Sequence, residues 1–322
     1  MSTSPSPVDL QALSGRVRAA VGTLVIGQDD VIDALLVAWL AGGHVLLEGV
    51  PGVGKTLLAR ALAQVLGLEF GRVQFTPDLM PADVTGGSIY DFRTQQFRVE
   101  RGPVFCQVLL ADELNRSPPR TQSALLEAMQ ERQVTLDGTS HRLDERFFVM
   151  ATQNPLEQEG TWPLPEAQLD RFLLKVTVAP PSRDRELSVY RHFLDGELPL
   201  AGAPRTLPTI VTPQERAGIA DALARVHVED SLLQYLHALV ARTRQDVRLV
   251  EGASPRAALA LLAASRAWAA IQGRDFVIPD DFKQLAPSAL AHRLAPAPEA
   301  ELDGLDADSI LASILDEIEV PR

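Results

Sequence analysis

Residues 44–56 read His-Val-Leu-Leu-Glu-Gly-Val-Pro-Gly-Val-Gly-Lys-Thr, a short apolar run followed by a glycine-rich turn. The turn fits the pattern GxxxxGK[ST] of a P-loop. Residues 57–66 then carry apolar side chains at helical spacing, and Gly67 ends that pattern. A strand, a glycine-rich loop and a helix in this order place backbone N–H groups and a helix N-terminus around phosphate oxygens. The stretch therefore predicts a nucleoside-phosphate site within an α/β fold.

The loop and the start of the helix supply the candidate phosphate-binding residues. They are Gly49, Val50, Pro51, Gly52, Val53, Gly54, Lys55 and Thr56. The glycines stand where a side chain would collide with phosphate oxygens. We expect Lys55 to hold the β- and γ-phosphates of ATP and Thr56 to bind Mg²⁺.

Two adjacent carboxylates follow a second apolar run. Residues 108–111 are Val-Leu-Leu-Ala, and Asp112 and Glu113 come directly after them. Hydrolysis of a nucleoside triphosphate needs a carboxylate near the metal and a base for the attacking water. We expect Asp112 to support Mg²⁺ through a metal-bound water and Glu113 to activate the attacking water. The alternative, two acids on a solvated turn, is disfavoured by the buried run and by the P-loop.

Strands and helices alternate along the first 180 residues. Besides the run before the P-loop, strands are expected at residues 70–75, 107–111, 147–152 and 173–178, and further helices at 31–40 and 119–132. This alternation predicts a mainly parallel α/β sheet. Two segments with polar turns, residues 88–102 and 133–146, interrupt it and predict inserted β-hairpins.

Helical signals dominate the remainder of the chain. Thr212 to Glu215 form a capping box, and Ser254-Pro255 and Pro279 each open a further helix. We therefore expect a nucleotide-binding α/β domain at residues 1–180 and a smaller, all-helical lid domain at residues 181–322. A Pro/Ala-rich linker is expected near residues 295–298, before the C-terminal tail.

Composition limits the class of protein. The chain has 322 residues, 46% of them hydrophobic and 22% charged, which is typical of a globular protein with about two domains. The net charge of −12 excludes a general binder of nucleic-acid backbones. The single cysteine, Cys106, rules out an internal disulfide and lies in an apolar run typical of a core position. The histidines lack metal-ligand spacing. No signal peptide or membrane span is recognisable, so we expect a soluble, cytoplasmic protein.

The negative charge is concentrated near the C-terminus. Residues 296–322 hold eight acids and one base, so that segment carries −7 and the rest of the chain −5. Apolar residues at positions 310, 311, 314, 315 and 318 have helical spacing. We expect an amphipathic helix whose apolar side docks on the lid or on a neighbouring copy, and a helix that caps the lid is the favoured interpretation.

Three further polar residues follow predicted strands or open a helix. Asn154 ends the strand at 147–152, where its amide could orient the attacking water, although asparagine there is more often a turn residue. Arg171 precedes the last strand, where a surface ion pair is the common alternative. Arg256 lies at the second position of a helix, where a cation opposes the helix dipole and needs an anion nearby. A γ-phosphate or the carboxylate of Glu251 would each serve.

Several motifs together resemble the MoxR family of AAA+ ATPases. Besides the P-loop, they are Ala-Asp-Glu-Leu-Asn-Arg-Ser-Pro-Pro-Arg-Thr-Gln-Ser-Ala-Leu-Leu-Glu-Ala-Met at 111–129, Ala-Thr-Gln-Asn-Pro-Leu-Glu-Gln-Glu-Gly-Thr at 151–161, Pro-Leu-Pro-Glu-Ala-Gln-Leu-Asp-Arg-Phe at 163–172 and Gly-Ala-Ser-Pro-Arg-Ala at 252–257. The resemblance extends from about residue 26 to the tail. It implies a P-loop AAA+ parallel-sheet core with two inserted hairpins and a helical lid, with ATP and Mg²⁺ as cofactors.

The resemblance also implies roles that no single motif gives. Subunits of this family form rings, usually hexamers, and bind ATP between neighbours. Asn154 is then the first sensor, Arg171 the arginine finger that reaches the next subunit's γ-phosphate, and Arg256 the second sensor. Because the lid is displaced in some members of this clade, Arg256 acts either in its own site or in a neighbour's. The two hairpins correspond to the helix-2 insert and the pre-sensor-1 insert.

The family is regarded as chaperone-like ATPases that remodel or activate partner proteins. The partners often contain a von Willebrand factor A domain, and some members assist metal insertion. This chain lacks the DxSxS run of a metal-dependent adhesion site, so such a domain would have to be another chain.

Three other functions are consistent with part of these sequence features. A nucleic-acid motor of the helicase-related clade would carry a basic hairpin tip, whereas both hairpins here mix basic and acidic residues. An ATPase subunit of a magnesium-chelatase-like complex would be distinguished by its chelatase partner. A small-molecule P-loop kinase would need neither an arginine from a neighbour nor a large lid.

Overall fold

The structure is a computed structural model that describes residues 8–155, 160–196 and 206–320. Its helices are α1 (Leu10–Gly22), α2 (Asp29–Leu40), α3 (Lys55–Leu66), α4 (Pro81–Thr85), α5 (Pro119–Glu131), α6 (Glu166–Leu169), α7 (Arg183–Leu194), α8 (Pro213–Ala224), α9 (Asp230–Gln245), α10 (Pro255–Ile271), α11 (Pro279–Leu290), α12 (Pro298–Leu302) and α13 (Ala307–Glu317). Its strands are β1 (Val45–Glu48), β2 (Phe70–Gln74), β3 (Gly86–Asp91), β4 (Gln96–Arg101), β5 (Val108–Asp112), β6 (Gln133–Leu136), β7 (Thr139–Arg142), β8 (Phe148–Gln153), β9 (Leu174–Thr177), β10 (Leu249–Glu251) and β11 (Ala295–Pro296).

Five strands form a parallel sheet in the order β2-β5-β8-β1-β9. The sheet is covered on both faces, which is why its central strands read as continuous apolar runs. Helices α1, α2 and α3 pack with the lid helices against one face, and α5 packs against the other. The predicted α/β class, with a P-loop core and a helical C-terminal region, is confirmed. The division at residue 180 stays a prediction.

The direction of the strands places the candidate residues. In a parallel sheet all carboxyl ends meet at one edge, and ligands bind there. The P-loop follows β1, Asp112 ends β5, and Asn154 follows β8, so all three lie at this carboxyl edge. Arg171 precedes β9 and therefore lies at the opposite, amino edge.

Both predicted hairpins are present. Strands β3 and β4 pair along residues 86–101, and β6 and β7 pair along residues 133–142. The turn of the second hairpin places Asp137 and Gly138 at φ angles of 47° and 78°, the left-handed region that a two-residue hairpin turn requires.

The C-terminal region differs from the expectation in one place. The Pro/Ala-rich segment at 295–298 is not a linker, because Ala295 and Pro296 form β11, which pairs with β10, and α12 begins at Pro298. Proline suits both positions, since it can occupy an edge strand and the first turn of a helix. The prediction was wrong because composition alone does not reveal a pairing partner about 45 residues away in the chain.

The acidic tail forms α13, which docks on the lid of its own chain. Ile310, Leu311, Ile314 and Leu315 are buried against the lid helices, including α9 and α11. Glu317 on the exposed side pairs with Arg242 of α9 at 2.9 Å. The helix predicted to cap the lid is therefore confirmed.

Cys106 is a core residue, as predicted. Its thiol is buried beside Val108, and burial raises its pKa to about 12, so it is not a reactive thiolate. Among the described residues, no helix combines the length and apolar character that crossing a membrane would require.

Candidate functional site

The P-loop is held open by glycines at the carboxyl edge. Gly52 and Gly54 each adopt a φ angle of 88°, and a β-carbon at either would meet no atom within 4 Å. A β-carbon at Gly49 would lie 2.5 Å from the carbonyl oxygen of Val178. Gly49 also donates its N–H to the carbonyl of Gln153 at 3.2 Å, which ties the loop to the end of β8. The loop thus encloses an open cradle ahead of α3.

Lys55 lies within this cradle. Its ammonium donates to the carbonyl oxygens of Gly49 and Val50, so the cation is satisfied by the loop itself. Partial burial lowers the pKa of Lys55, while Asp112 and Glu113 oppose that effect. Asp112 and Glu113 therefore lie close enough to Lys55 for their charges to interact with it.

Asp112 is bonded through both of its carboxylate oxygens. Oδ1 accepts a hydrogen bond from the hydroxyl of Thr152 at 2.7 Å, and Thr152 is buried on β8. Oδ2 accepts from the guanidinium of Arg72 at 2.7 Å and lies 3.5 Å from the hydroxyl of Thr56. The carboxylate is therefore fixed on one side and faces Thr56 on the other.

Glu113 follows in an unusual backbone conformation. Its φ angle of 56° lies in the left-handed region, and its N–H donates to Thr152 at 2.8 Å. Its Oε2 accepts hydrogen bonds from the amide of Gln74 at 2.7 Å and from Arg116 at 3.2 Å. The turn swings the side chain away from Asp112 toward the end of β2.

Asn154 follows β8 directly and is half-buried. Because Gln153 bonds the first residue of the P-loop, Asn154 lies at the same edge as the two acids. The structure thus brings together the P-loop, Asp112, Glu113 and Asn154.

Arg171 and Arg256 lie together at the amino edge. Both line a cavity of about 320 Å³ that also includes His44, which immediately precedes β1. Arg256 forms an ion pair with Asp170 at 3.7 Å. Buried Arg293 contacts the same carboxylate at 2.9 Å. Neither candidate arginine is therefore beside the P-loop of its own chain.

The local anion near Arg256 is not Glu251, which was the sequence-based alternative to a phosphate. Glu251 instead shares a hydrogen bond with Glu166. This bond is the main cause of the raised pKa of Glu166, and desolvation and repulsion by Glu251 add to it. Asp170 could not be selected as the partner from sequence, because it lies 86 positions before Arg256.

Three residues of the site were missed by sequence reasoning. Arg72 and Gln74 belong to edge strand β2, and Thr152 ends the apolar run of β8. The strand register brings them to Asp112, because Gln74 lies directly opposite Asp112. Their only signal in the sequence is the appearance of polar side chains at the carboxyl ends of predicted strands.

The residues present suit a magnesium nucleotide. The hydroxyl of Thr56 and the carboxylate of Asp112 are hard oxygen donors 3.5 Å apart, as Mg²⁺ prefers. Within the described ranges, no group of three or more histidine, cysteine or acidic residues could hold a metal alone. Phosphate oxygens and water would therefore supply the remaining ligands, and the open glycine cradle has room for the phosphates.

Two family models match parts of this chain. Residues 44–174 match the family described as "ATPase family associated with various cellular activities (AAA)". Residues 241–314 match the AAA lid domain. The first match begins just before the P-loop and ends within β9, so it contains Asp112, Glu113, Asn154 and Arg171. The second contains Arg256.

Individual relatives cover nearly the whole chain. Chaperone MoxR1 of Mycobacterium tuberculosis is 41% identical, and the match covers 94% of this chain and 81% of that protein. YeaC of Bacillus subtilis, an uncharacterized protein, is 45% identical over 97% of this chain and 96% of its own length. A crystal structure of a candidate ATPase from Cytophaga hutchinsonii superposes with a TM-score of 0.88 at 40% identity, covering 97% of this chain and 96% of that one.

Proposed function

The chain belongs to the MoxR family of AAA+ ATPases, and from this premise we propose that it hydrolyses ATP at sites completed between neighbouring copies in a ring. The observation that carries the proposal is the separation of the candidate residues onto two edges of the sheet. The P-loop, Asp112 and Glu113 lie at the carboxyl edge, whereas Arg171 and Arg256 line one cavity at the amino edge. A second copy whose amino edge meets the P-loop would complete the site.

Each residue at the carboxyl edge has a proposed task. The eight residues from Gly49 to Thr56 bind the phosphates, and Lys55 turns from the loop carbonyls toward the β- and γ-phosphates. Thr56 and Asp112 hold Mg²⁺, Asp112 through a metal-bound water. The metal neutralises charge that develops on the phosphates when it is bound.

Hydrolysis requires an activated water in line with the γ-phosphate. Glu113 accepts the proton of that water as general base, and the amide of Asn154 orients the water. In the structure Oε2 of Glu113 accepts hydrogen bonds from Gln74 and Arg116, and these bonds hold its side chain toward the end of β2.

The amino edge supplies positive charge to the neighbour. Arg171 acts as the arginine finger and Arg256 as the second sensor, and we propose that both act in trans. Two observations support a role in trans for both arginines. They line the same cavity, and Arg256 pairs with Asp170, the residue that precedes Arg171. An arginine contributed across the interface makes hydrolysis depend on assembly, so the state of the nucleotide becomes coupled to the shape of the ring.

We propose that the ATPase remodels or activates a partner protein, in line with the chaperone name of a relative. The partner class implied by the family is a client or a protein with a von Willebrand factor A domain, sometimes during metal-cofactor insertion. The hairpin β3–β4 supports a protein partner, because Tyr90, Phe92 and Phe97 form an exposed aromatic cluster with ring centroids 5.2 Å apart for each neighbouring pair. Aromatic residues are enriched at protein interfaces. A ring of six copies and two domains divided at residue 180 are part of the same proposal.

The hairpin gives little support to a nucleic-acid motor. Arg98 faces Glu100 at 3.6 Å, and Asp91 caps the turn by accepting the N–H of Arg93. The tip therefore presents mixed charge rather than a basic patch. A magnesium-chelatase-like role would depend on a chelatase partner and stays the second candidate.

Two substitutions test the proposed function. We expect Glu113→Gln to bind ATP normally and to hydrolyse it at least about a hundredfold more slowly, because a general base contributes about that factor. We expect Arg171→Ala to bind ATP as the wild type does. Assemblies of this variant should not hydrolyse ATP, because each site lacks the arginine of its neighbour. Arg120→Ala, which removes an arginine without a proposed role, is the control. Full activity in either test variant would remove the corresponding residue from the mechanism.

A further inference from the structure

Arg72 on the edge strand β2 connects the two carboxylates of the site. We propose that Arg72 is a positioning residue that occupies the metal-facing oxygen of Asp112 and keeps Glu113 held until magnesium nucleotide binds. The inference rests on the proposed ATPase function and goes beyond it, because it adds a residue that couples metal loading to the loss of one hydrogen bond that holds the base.

The register of the sheet brings Arg72 to Asp112. Arg72 and Gln74 are two positions apart on β2, so their side chains leave the same face of the strand. Gln74 lies directly opposite Asp112 on β5. The guanidinium of Arg72 reaches diagonally to Asp112 Oδ2 at 2.7 Å and also donates to Gln74 Oε1 at 3.0 Å.

The second of these bonds sets the orientation of the Gln74 amide. A guanidinium can only donate, so it selects the amide oxygen of Gln74 and turns the amide NH₂ group the other way. That NH₂ group donates to Glu113 Oε2 at 2.7 Å. Arg72 therefore stabilises the particular orientation of Gln74 that holds Glu113.

The first bond occupies the oxygen that a metal site needs. Oδ1 of Asp112 is already taken by the buried hydroxyl of Thr152, so Oδ2 is the oxygen available to the metal side. It is also the oxygen that faces Thr56 Oγ1, at 3.5 Å. A water bound to Mg²⁺ would donate to the same oxygen that Arg72 occupies, and the positive charges of the metal and the guanidinium would repel each other. Arg72 and the metal therefore compete for Asp112.

Arg72 can leave without disturbing the strand. Its side chain is 47% exposed, and Asp112 stays in place because Thr152 holds its other oxygen. Once Arg72 has moved away, the Gln74 oxygen loses its donor and the amide is free to turn. Glu113 then loses the hydrogen bond from Gln74 and is held by Arg116 alone. Metal loading thus removes one of the two hydrogen bonds that hold the base toward the end of β2.

Magnesium titration of nucleotide binding tests this coupling. A fluorescent ATP analogue is bound to full-length protein carrying Glu113→Gln, which prevents turnover, and Mg²⁺ is then titrated in. In that background we expect Arg72→Ala to lower the half-saturating Mg²⁺ concentration about two- to fivefold, the range expected for a partly exposed ion pair. Arg72→Lys, which keeps the charge, should restore most of the wild-type requirement. Arg60→Ala removes a nearby exposed arginine on α3 and should change nothing.

A kinetic readout separates a positioning role from a structural one. With Glu113 intact, single-turnover hydrolysis should be faster in Arg72→Ala than in wild type at limiting Mg²⁺, and equal within about twofold at saturating Mg²⁺. A rate lowered by the same factor at every Mg²⁺ concentration would overturn the inference. So would a Mg²⁺ requirement in Arg72→Ala that equals that of Arg60→Ala. If wild-type protein itself showed no magnesium-dependent nucleotide binding, the proposed ATPase function would fall first, and this inference with it.

Discussion

Mixing two inactive variants tests whether one ATPase site is built from opposite edges of two copies. Lys55→Ala removes a group at the carboxyl edge, and Arg171→Ala removes a group at the amino edge. Each variant alone should be inactive, because every site in a ring of identical copies lacks one of the two residues. A mixed ring contains some sites at which an intact P-loop meets an intact arginine.

The magnitude follows from the arrangement of the edges. In a random equimolar ring, a site is complete when its P-loop comes from the Arg171→Ala chain and its arginine from the Lys55→Ala chain. Each condition holds for half of the positions, so about one quarter of the wild-type activity should return. The assay is steady-state phosphate release after the two proteins have been mixed and allowed to exchange subunits.

Variants that share an edge provide the matched control. Arg171→Ala mixed with Arg256→Ala should recover little, because in every pairing at least one of the two amino-edge arginines is absent. Lys55→Ala mixed with Glu113→Gln should recover nothing for the same reason at the carboxyl edge. Equal recovery in the same-edge and opposite-edge mixtures, or none in either, would refute the reasoning from the sheet edges.

Three further predictions concern stability and binding. Ile314→Ala empties a fully buried position under α13 and should lower the free energy of unfolding by about 2–5 kcal/mol, measured by denaturant titration, whereas exposed Asp316→Ala should change it by less than about 0.5 kcal/mol. Gly49→Ala would force a β-carbon to within 2.5 Å of the Val178 carbonyl, so ATP affinity measured by calorimetry should fall at least about tenfold, and unchanged affinity would contradict the packing. Burial lowers the pKa of His44 to about 4, below its value in the unfolded chain, so stability is retained above about pH 6.5 and lost as the pH falls toward 4. The free energy of unfolding of the wild type should therefore fall between pH 7 and pH 5, and His44→Gln should abolish about 2 kcal/mol of that fall, measured by denaturant unfolding at each pH.

The carboxyl edge of the site could be predicted from sequence because its residues belong to continuous motifs. The P-loop carries its own strand, turn and helix signals, and Asp112 and Glu113 follow an apolar run that reads as a buried strand. A residue that follows a predicted parallel strand lies at the carboxyl edge of the sheet, where ligands bind, so the local pattern is enough to place it.

The remaining contacts depend on pairing between distant segments. Arg72 reaches Asp112 only because β2 and β5 are adjacent in one register, and the sequence states neither the neighbour nor the register. Arg171 and Arg256 are 85 positions apart and meet only through the placement of the lid against β9. The resemblance to a family supplied their expected roles, whereas the fold supplied the edge on which they lie.

Dilution of the wild-type protein tests the central claim most directly. Specific ATPase activity and the number of ATP molecules bound per chain are measured in parallel over a series of protein concentrations at saturating Mg²⁺ and ATP. Because the arginines lie on the edge opposite the P-loop, we predict that specific activity falls as assemblies dissociate while ATP binding per chain stays constant. Specific activity that stays constant down to concentrations at which the protein is monomeric would contradict a site completed by a neighbouring copy.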